Sequence, residues 1–106
     1  MHYTEEQVDS ILHELNIRLL AGLINSSDVA RIFTYRAEKE YGRKHLYTSS
    51  DVRRHVKSKT LPVAHRVHER MNLFKVEDAF TADLQPQKWR RDDQISVNSK
   101  DDLQST

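Results

Sequence analysis

Between Arg43 and Lys75 the chain carries nine Lys and Arg against two acidic residues, Asp51 and Glu69, a local charge of +7. Residues 1–42 and 76–106 carry −3 each, so the whole-chain charge of +1 conceals a polarised molecule. Cations at this density are chemistry for a polyanion. Lysine neutralises a phosphate as a point charge, and arginine pairs bidentately with phosphate or with the edge of guanine. Four of the six histidines, His45, His55, His65 and His68, lie in the same segment. With pKa values near neutrality, they predict binding to a polyanion that strengthens as pH falls.

Other chemistries find no constellation. His65 and His68 fall on opposite sides of an extended strand, and the positive surroundings oppose a cation, so no metal site is expected. There is no cysteine, which removes disulfides, thiolate ligands and cysteine nucleophiles. His13 and Glu14 adjoin but point to different helix faces, and no nucleophile has an identifiable base. With only Gly22 and Gly42, no glycine-rich phosphate loop exists. The expectation is therefore a protein that is not an enzyme, with no catalytic residue and no cofactor. No apolar run approaches the roughly 18 residues of a membrane span. The start, Met-His-Tyr-Thr-Glu-Glu, lacks the basic and apolar stretches of a signal peptide. A cytoplasmic, nucleoid-associated location and no membrane partner are expected.

Several elements must position the basic residues. Thr4-Glu-Glu-Gln7 has the form of a capping box, and Val8, Ile11, Leu12, Leu15 and Leu19 follow at the spacing of one helical face. This predicts a first helix over about residues 4–22, stopped by Gly22. Ile17, Leu20, Leu23 and Ile24 widen its apolar surface, so it either covers the core alone or also packs against a second subunit. Ser26-Ser-Asp-Val-Ala-Arg31 and Ser49-Ser-Asp-Val-Arg-Arg54 then use the same phrase twice, a serine hydroxyl to cap and an aspartate at the positive end of the helix dipole. The second helix is predicted over about Ser27–Tyr41, burying Val29, Ile32, Phe33, Ala37 and Tyr41 and ending at Gly42. The third runs over about Ser49–Ser58, with Val52 and Val56 inward and Arg53, Arg54, His55, Lys57 and Lys59 wholly or partly outward. Pro62 ends helical structure. From Val63 the period shifts towards two, giving a strand, a turn at Glu69–Asn72, a return strand Leu73–Val76 and a closing helix Glu77–Leu84. Beyond Leu84 only Trp89, Ile95, Val97 and Leu103 are large and apolar, which predicts a flexible tail over 85–106.

The succession resembles the winged-helix DNA-binding domains of the MerR and phage-excisionase superfamily. The matching residues are Ser27-Asp-Val-Ala-Arg-Ile-Phe, Thr48-Ser-Ser-Asp-Val-Arg-Arg-His-Val, Lys59-Thr-Leu-Pro-Val-Ala-His-Arg-Val and Leu73-Phe-Lys-Val-Glu-Asp-Ala-Phe. The resemblance covers about residues 26–84, with the stretch Tyr35–Tyr47 lengthening the first of its helices and the N-terminal helix additional. It implies a mainly α fold with a small β-hairpin wing, a winged helix-turn-helix; with the additional N-terminal helix the domain is expected over residues 1–84, and the apolar surface of that helix is the expected contact of a homodimer. It further implies double-stranded DNA as the partner, with the basic helix in the major groove and the wing on the adjacent backbone or minor groove.

On that reading Arg53 and Arg54 lie near base edges, with His55 and Lys57 next, and Ser49 and Ser50 hold a phosphate with the helix-start amides. Lys59, Arg66, Arg70 and Lys75 contact the backbone from the wing, Arg43 and Lys44 from the connection, and Asn72 enters a minor groove from the hairpin tip. Basic residues on a short helix also form ordinary solvated faces; the clustering is what argues for nucleic acid. The function expected is a sequence-specific transcriptional regulator, a repressor acting by site occupancy. An excisionase-like DNA-bending factor in contact with a recombinase is the alternative within DNA binding. An adaptor or anti-repressor whose basic face meets an acidic protein is the alternative outside it, and contact with the transcription machinery is a further partner expectation.

Overall fold

The computed structural model describes residues 3–68 and 71–89. Their order is α1 (Glu5–Glu14), β1 (Leu23–Asn25), α2 (Ser26–Tyr41), α3 (Ser49–Lys57), β2 (His65–His68), β3 (Met71–Lys75) and α4 (Val76–Thr81), followed by a 3-10 turn, Pro86–Lys88. Among the described residues these make a small α/β domain in which four helices pack with a three-stranded antiparallel sheet of order β1-β3-β2.

α1 starts as its sequence dictates. The Thr4 hydroxyl accepts from the Gln7 amide at 3.1 Å, and the Gln7 side chain accepts from the Thr4 amide at 2.9 Å. It closes at Glu14, well short of Gly22. Asn16 takes φ 57°, which stops the helix, and Ile17 drops into the core. Ala21 and Gly22 have φ 53° and 81°, and Leu20 and Leu23 exchange backbone hydrogen bonds at 2.7 and 2.9 Å. Two consecutive positive φ values are what a tight two-residue hairpin turn demands, so Gly22 turns a hairpin instead of ending a helix. The residues after it form β1, with Ile24 opposite Phe74 on β3. Leu19, expected on the buried helical face, is 51% exposed.

α2 is the central element and packs against α3, α4, β1 and β3. Its cap is the Asn25 carboxamide, which accepts from the Asp28 amide at 2.8 Å, one residue ahead of the serines expected to do so. Gly42 at φ 67° ends it. Val29, Ile32, Phe33 and Ala37 are completely buried, whereas Tyr41 is exposed. Truncating a ring as enclosed as Phe33 to alanine costs about 3–5 kcal/mol. Arg36, also buried, donates to the Ala79 and Ala82 carbonyls at 2.9 Å each and to Glu40 at 2.7 and 3.3 Å. The Tyr3 hydroxyl donates to the same carboxylate at 2.7 Å. This network ties the start of the chain to α2 and satisfies carbonyls that the end of α4 leaves without helical partners.

The hairpin forms with a shifted register. His65 lies opposite Leu73, Arg66 opposite Asn72 and His68 opposite Met71, with an irregularity between Arg66 and His68. Met71 and Asn72, expected in the turn, therefore belong to β3; Glu69 and Arg70 lie outside the described residues. α4 carries Glu77 and Asp78 in its first turn as expected but ends at Thr81. The folded unit continues past Leu84, because Trp89 is buried in the core. The remainder of the predicted tail, residues 90–106, lies outside the described residues.

Candidate nucleic-acid interface

α3 is short, strongly capped and one-sided. The Thr48 hydroxyl accepts from the Asp51 amide at 3.4 Å, while the Asp51 carboxylate accepts from the Thr48 amide at 2.8 Å. The cap is thus Thr48, and Ser49 and Ser50 lie inside the first helical turn. Val52 is completely buried, and Arg53, Arg54 and Lys57 are exposed. Ser50, Arg53 and Lys57 share one helical stripe, and the Arg53 guanidinium donates to the Ser50 hydroxyl at 3.1 Å. Asp51, Arg54 and Ser58 form the neighbouring stripe, where Arg54 pairs with Asp51 at 2.7 Å while its side chain stays 76% exposed. An arginine so exposed, and held by one carboxylate oxygen, can exchange that partner for a ligand at small cost.

His55 corrects the outward placement given to it. It is 8% exposed, its ring lies 5.1 Å from Phe33, and Nδ1 is 2.8 Å from the Thr60 hydroxyl oxygen. Burial lowers its pKa, against the opposing pull of Asp51. His55 is an anchor that fixes α3 to α2. His45 is likewise held below its ordinary value by burial. Both shifts run against the expected gain of positive charge on mild acidification.

The other predicted residues separate into distinct places. Arg66 sits on β2, all four residues of which are exposed. Lys75 is exposed at the far end of β3, opposite Leu23 of β1, three residues or about 10 Å of strand from Asn72. Asn72 pairs within the sheet, and its carboxamide oxygen is buried with no hydrogen-bond partner among the described residues. It does not present itself at a hairpin tip. Lys59 follows α3 at φ 64°, where its amide donates to the Val56 carbonyl and that of Thr60 to His55. This is a glycine-type helix ending made by a lysine. Arg70 lies outside the described residues.

Arg43 and Lys44, on the connection between α2 and α3, line a groove of about 590 Å³ together with Arg54. Its lining is completed by a wall of Gln85, Lys88 and Trp89, which sequence reasoning assigned to the tail. Trp89 stacks on His45 with ring centroids 4.9 Å apart and an interplanar angle of 12°. The Arg43 guanidinium lies 5.8 Å from the same ring. The signals for this wall were the single tryptophan of the chain and Pro86, a residue favoured at the first position of a helical turn.

No protein-family model, curated protein or solved structure matches the chain.

Proposed function

We propose that this chain is a non-enzymatic winged helix-turn-helix protein that binds double-stranded DNA and regulates transcription. It acts as a homodimeric repressor that occupies its site. The observation that carries this reading is α3. Val52 and His55 anchor the helix in the core, while Arg53, Arg54 and Lys57 stand exposed on two adjacent stripes. A rigid helix bearing exposed arginines suits a major groove, which admits a helix and presents guanine edges that arginine pairs with bidentately. The order of α2, α3 and an antiparallel hairpin with a fully exposed strand supports the winged arrangement. Among the described residues of the hairpin, Arg66 on that exposed strand is placed to reach a neighbouring phosphate.

The deciding experiment retains duplexes from a random pool on the purified protein at near-physiological salt and sequences what is kept. An enriched motif with two inverted half-sites is expected of a dimeric repressor. Retention without a motif transfers the protein to the DNA-bending class, and no retention makes the basic face a surface for an acidic protein.

A further inference from the structure

We propose that the groove between α3 and the Pro86–Lys88 turn seats a backbone phosphate of the duplex, with Lys88 supplying a cation from outside the helix and the hairpin. The inference rests on the duplex-binding reading and adds to it a contact element.

Charge is the first ground. Arg43, Lys44, Arg54 and Lys88 come from three separate segments and line one groove, and among the described residues the only carboxylate in its lining, Asp51, is engaged by Arg54 at 2.7 Å. A cleft edged by cations of different origin concentrates potential and favours an anion. Position is the second ground. The groove follows the Asp51, Arg54 and Ser58 flank of α3, so an anion there lies alongside the helix. That is where the sugar-phosphate backbone passes when the helix reads base edges.

Rigidity is the third ground. Lys88 is exposed, yet its neighbour Trp89 is only 9% exposed. The Trp89 indole donates to the Tyr47 hydroxyl at 2.8 Å, and the Lys88 amide donates to the Gln85 carbonyl at 2.9 Å. The ammonium is carried on a turn already fixed to the core, which reduces the ordering that binding must impose.

The test compares wild type with Lys88→Gln on duplexes that wild type retains, across a salt series. Lys88→Gln is expected to bind about threefold to tenfold more weakly at low salt, with the slope of log affinity against log salt flatter by about 0.9, the value for one phosphate. The loss should be equal on selected and random duplexes, because a phosphate contact carries no base information. Near-UV circular dichroism should not change. An unchanged salt slope in Lys88→Gln overturns the inference and leaves duplex binding intact. Saturable binding of inorganic phosphate that Lys88→Gln abolishes, with the DNA slope unchanged, assigns the groove to a free anion and also overturns it. A wild type that retains no duplex at all overturns both readings together.

Discussion

The indole N–H of Trp89 donates to the phenolic oxygen of Tyr47 at 2.8 Å, joining residues 42 positions apart. Tyr47 in turn donates to the Leu84 carbonyl at 2.9 Å, so one buried hydroxyl both accepts and donates. Burial is the main cause that pushes the Tyr47 phenol up to about 12. This pair joins the α2–α3 connection to the end of the described chain, and those two segments form the walls beside α3.

The brace has a measurable consequence for stability. Trp89→Ala should cost about 3–5 kcal/mol, as removing a buried large aromatic does. A chain ended after Leu84 should lose a similar amount, because it loses the same ring. Trp89→Phe keeps most of the apolar area and should cost about 1–2 kcal/mol for the lost donor and the smaller ring. Urea unfolding checks all three. A chain of residues 1–84 as stable as the full one would mean that Trp89 contributes nothing to the fold.

Acid should destabilise the protein in two stages, through His55 and Glu40. Burial lowers His55 in the fold, so below about pH 6.5 the unfolded chain takes up a proton that the folded one resists, and stability declines as pH falls. Burial alone would raise Glu40, but hydrogen bonds from Arg36 and Tyr3 and the guanidinium charge outweigh it and hold the carboxyl low. Its contribution is complete above its unfolded value of about 4.3 and is lost as pH falls through the depressed folded one. Asp28 and Asp78, both raised chiefly by burial, oppose this trend. Glu40→Gln should flatten the lower stage and cost about 3–5 kcal/mol near neutrality by leaving Arg36 buried without its charge partner. Urea midpoints between pH 3 and 8 test the assignment, and an unaltered lower stage in Glu40→Gln would move it to other carboxylates.

What was legible in the sequence was whatever local chemistry decides. The Thr4 capping box, the Gly42 ending and the inward stripe of Val29, Ile32, Phe33 and Ala37 follow from short-range spacing, and all formed. The failures came where distant residues decide. Leu19, Leu20, Leu23 and Ile24 extend a helical pattern, but β3 offers Ile24 a strand partner, and the Ala21-Gly22 turn lacks the Asn-Gly signature that would have betrayed a hairpin. His55 looked like one more polar residue on a basic helix because its enclosure depends on Phe33 and Thr60, which helical spacing does not reveal. Arg36 carries no local signal, because the carbonyls it satisfies are more than 40 positions away. The polar composition around Trp89 reads as a tether or a grip for a partner, although a lone tryptophan carries enough apolar area to dock a polar segment by itself.

Lys59→Gly separates folding from binding. Lys59 occupies φ 64°, a conformation costly for any side chain and nearly free for glycine. The substitution should stabilise the protein by about 1 kcal/mol, which for a domain of this size raises the melting temperature by roughly 4–8 °C. It also removes an exposed cation next to α3. Duplex affinity should therefore fall while stability rises, a combination that loss of fold cannot produce. A rise in both would take Lys59 out of the interface.

On the proposed duplex-binding reading, base reading and backbone holding should divide between Arg53 and Arg66. Arg53 stands on the exposed stripe of α3, and Arg66 on the exposed strand β2. Arg53→Ala should cost about 1–3 kcal/mol on the preferred duplex and level the preference at one base position. Arg66→Ala should weaken selected and random duplexes alike and flatten the salt slope by about 0.9. Lys75, at the opposite end of β3 beside β1, should respond as Arg66 does but less strongly, because it is farther from the tip of the hairpin. Competition binding of the three variants against selected and random duplexes, each at several salt concentrations, resolves these effects. If Arg53→Ala lowers both affinities in equal proportion, α3 holds the backbone and the bases are read elsewhere.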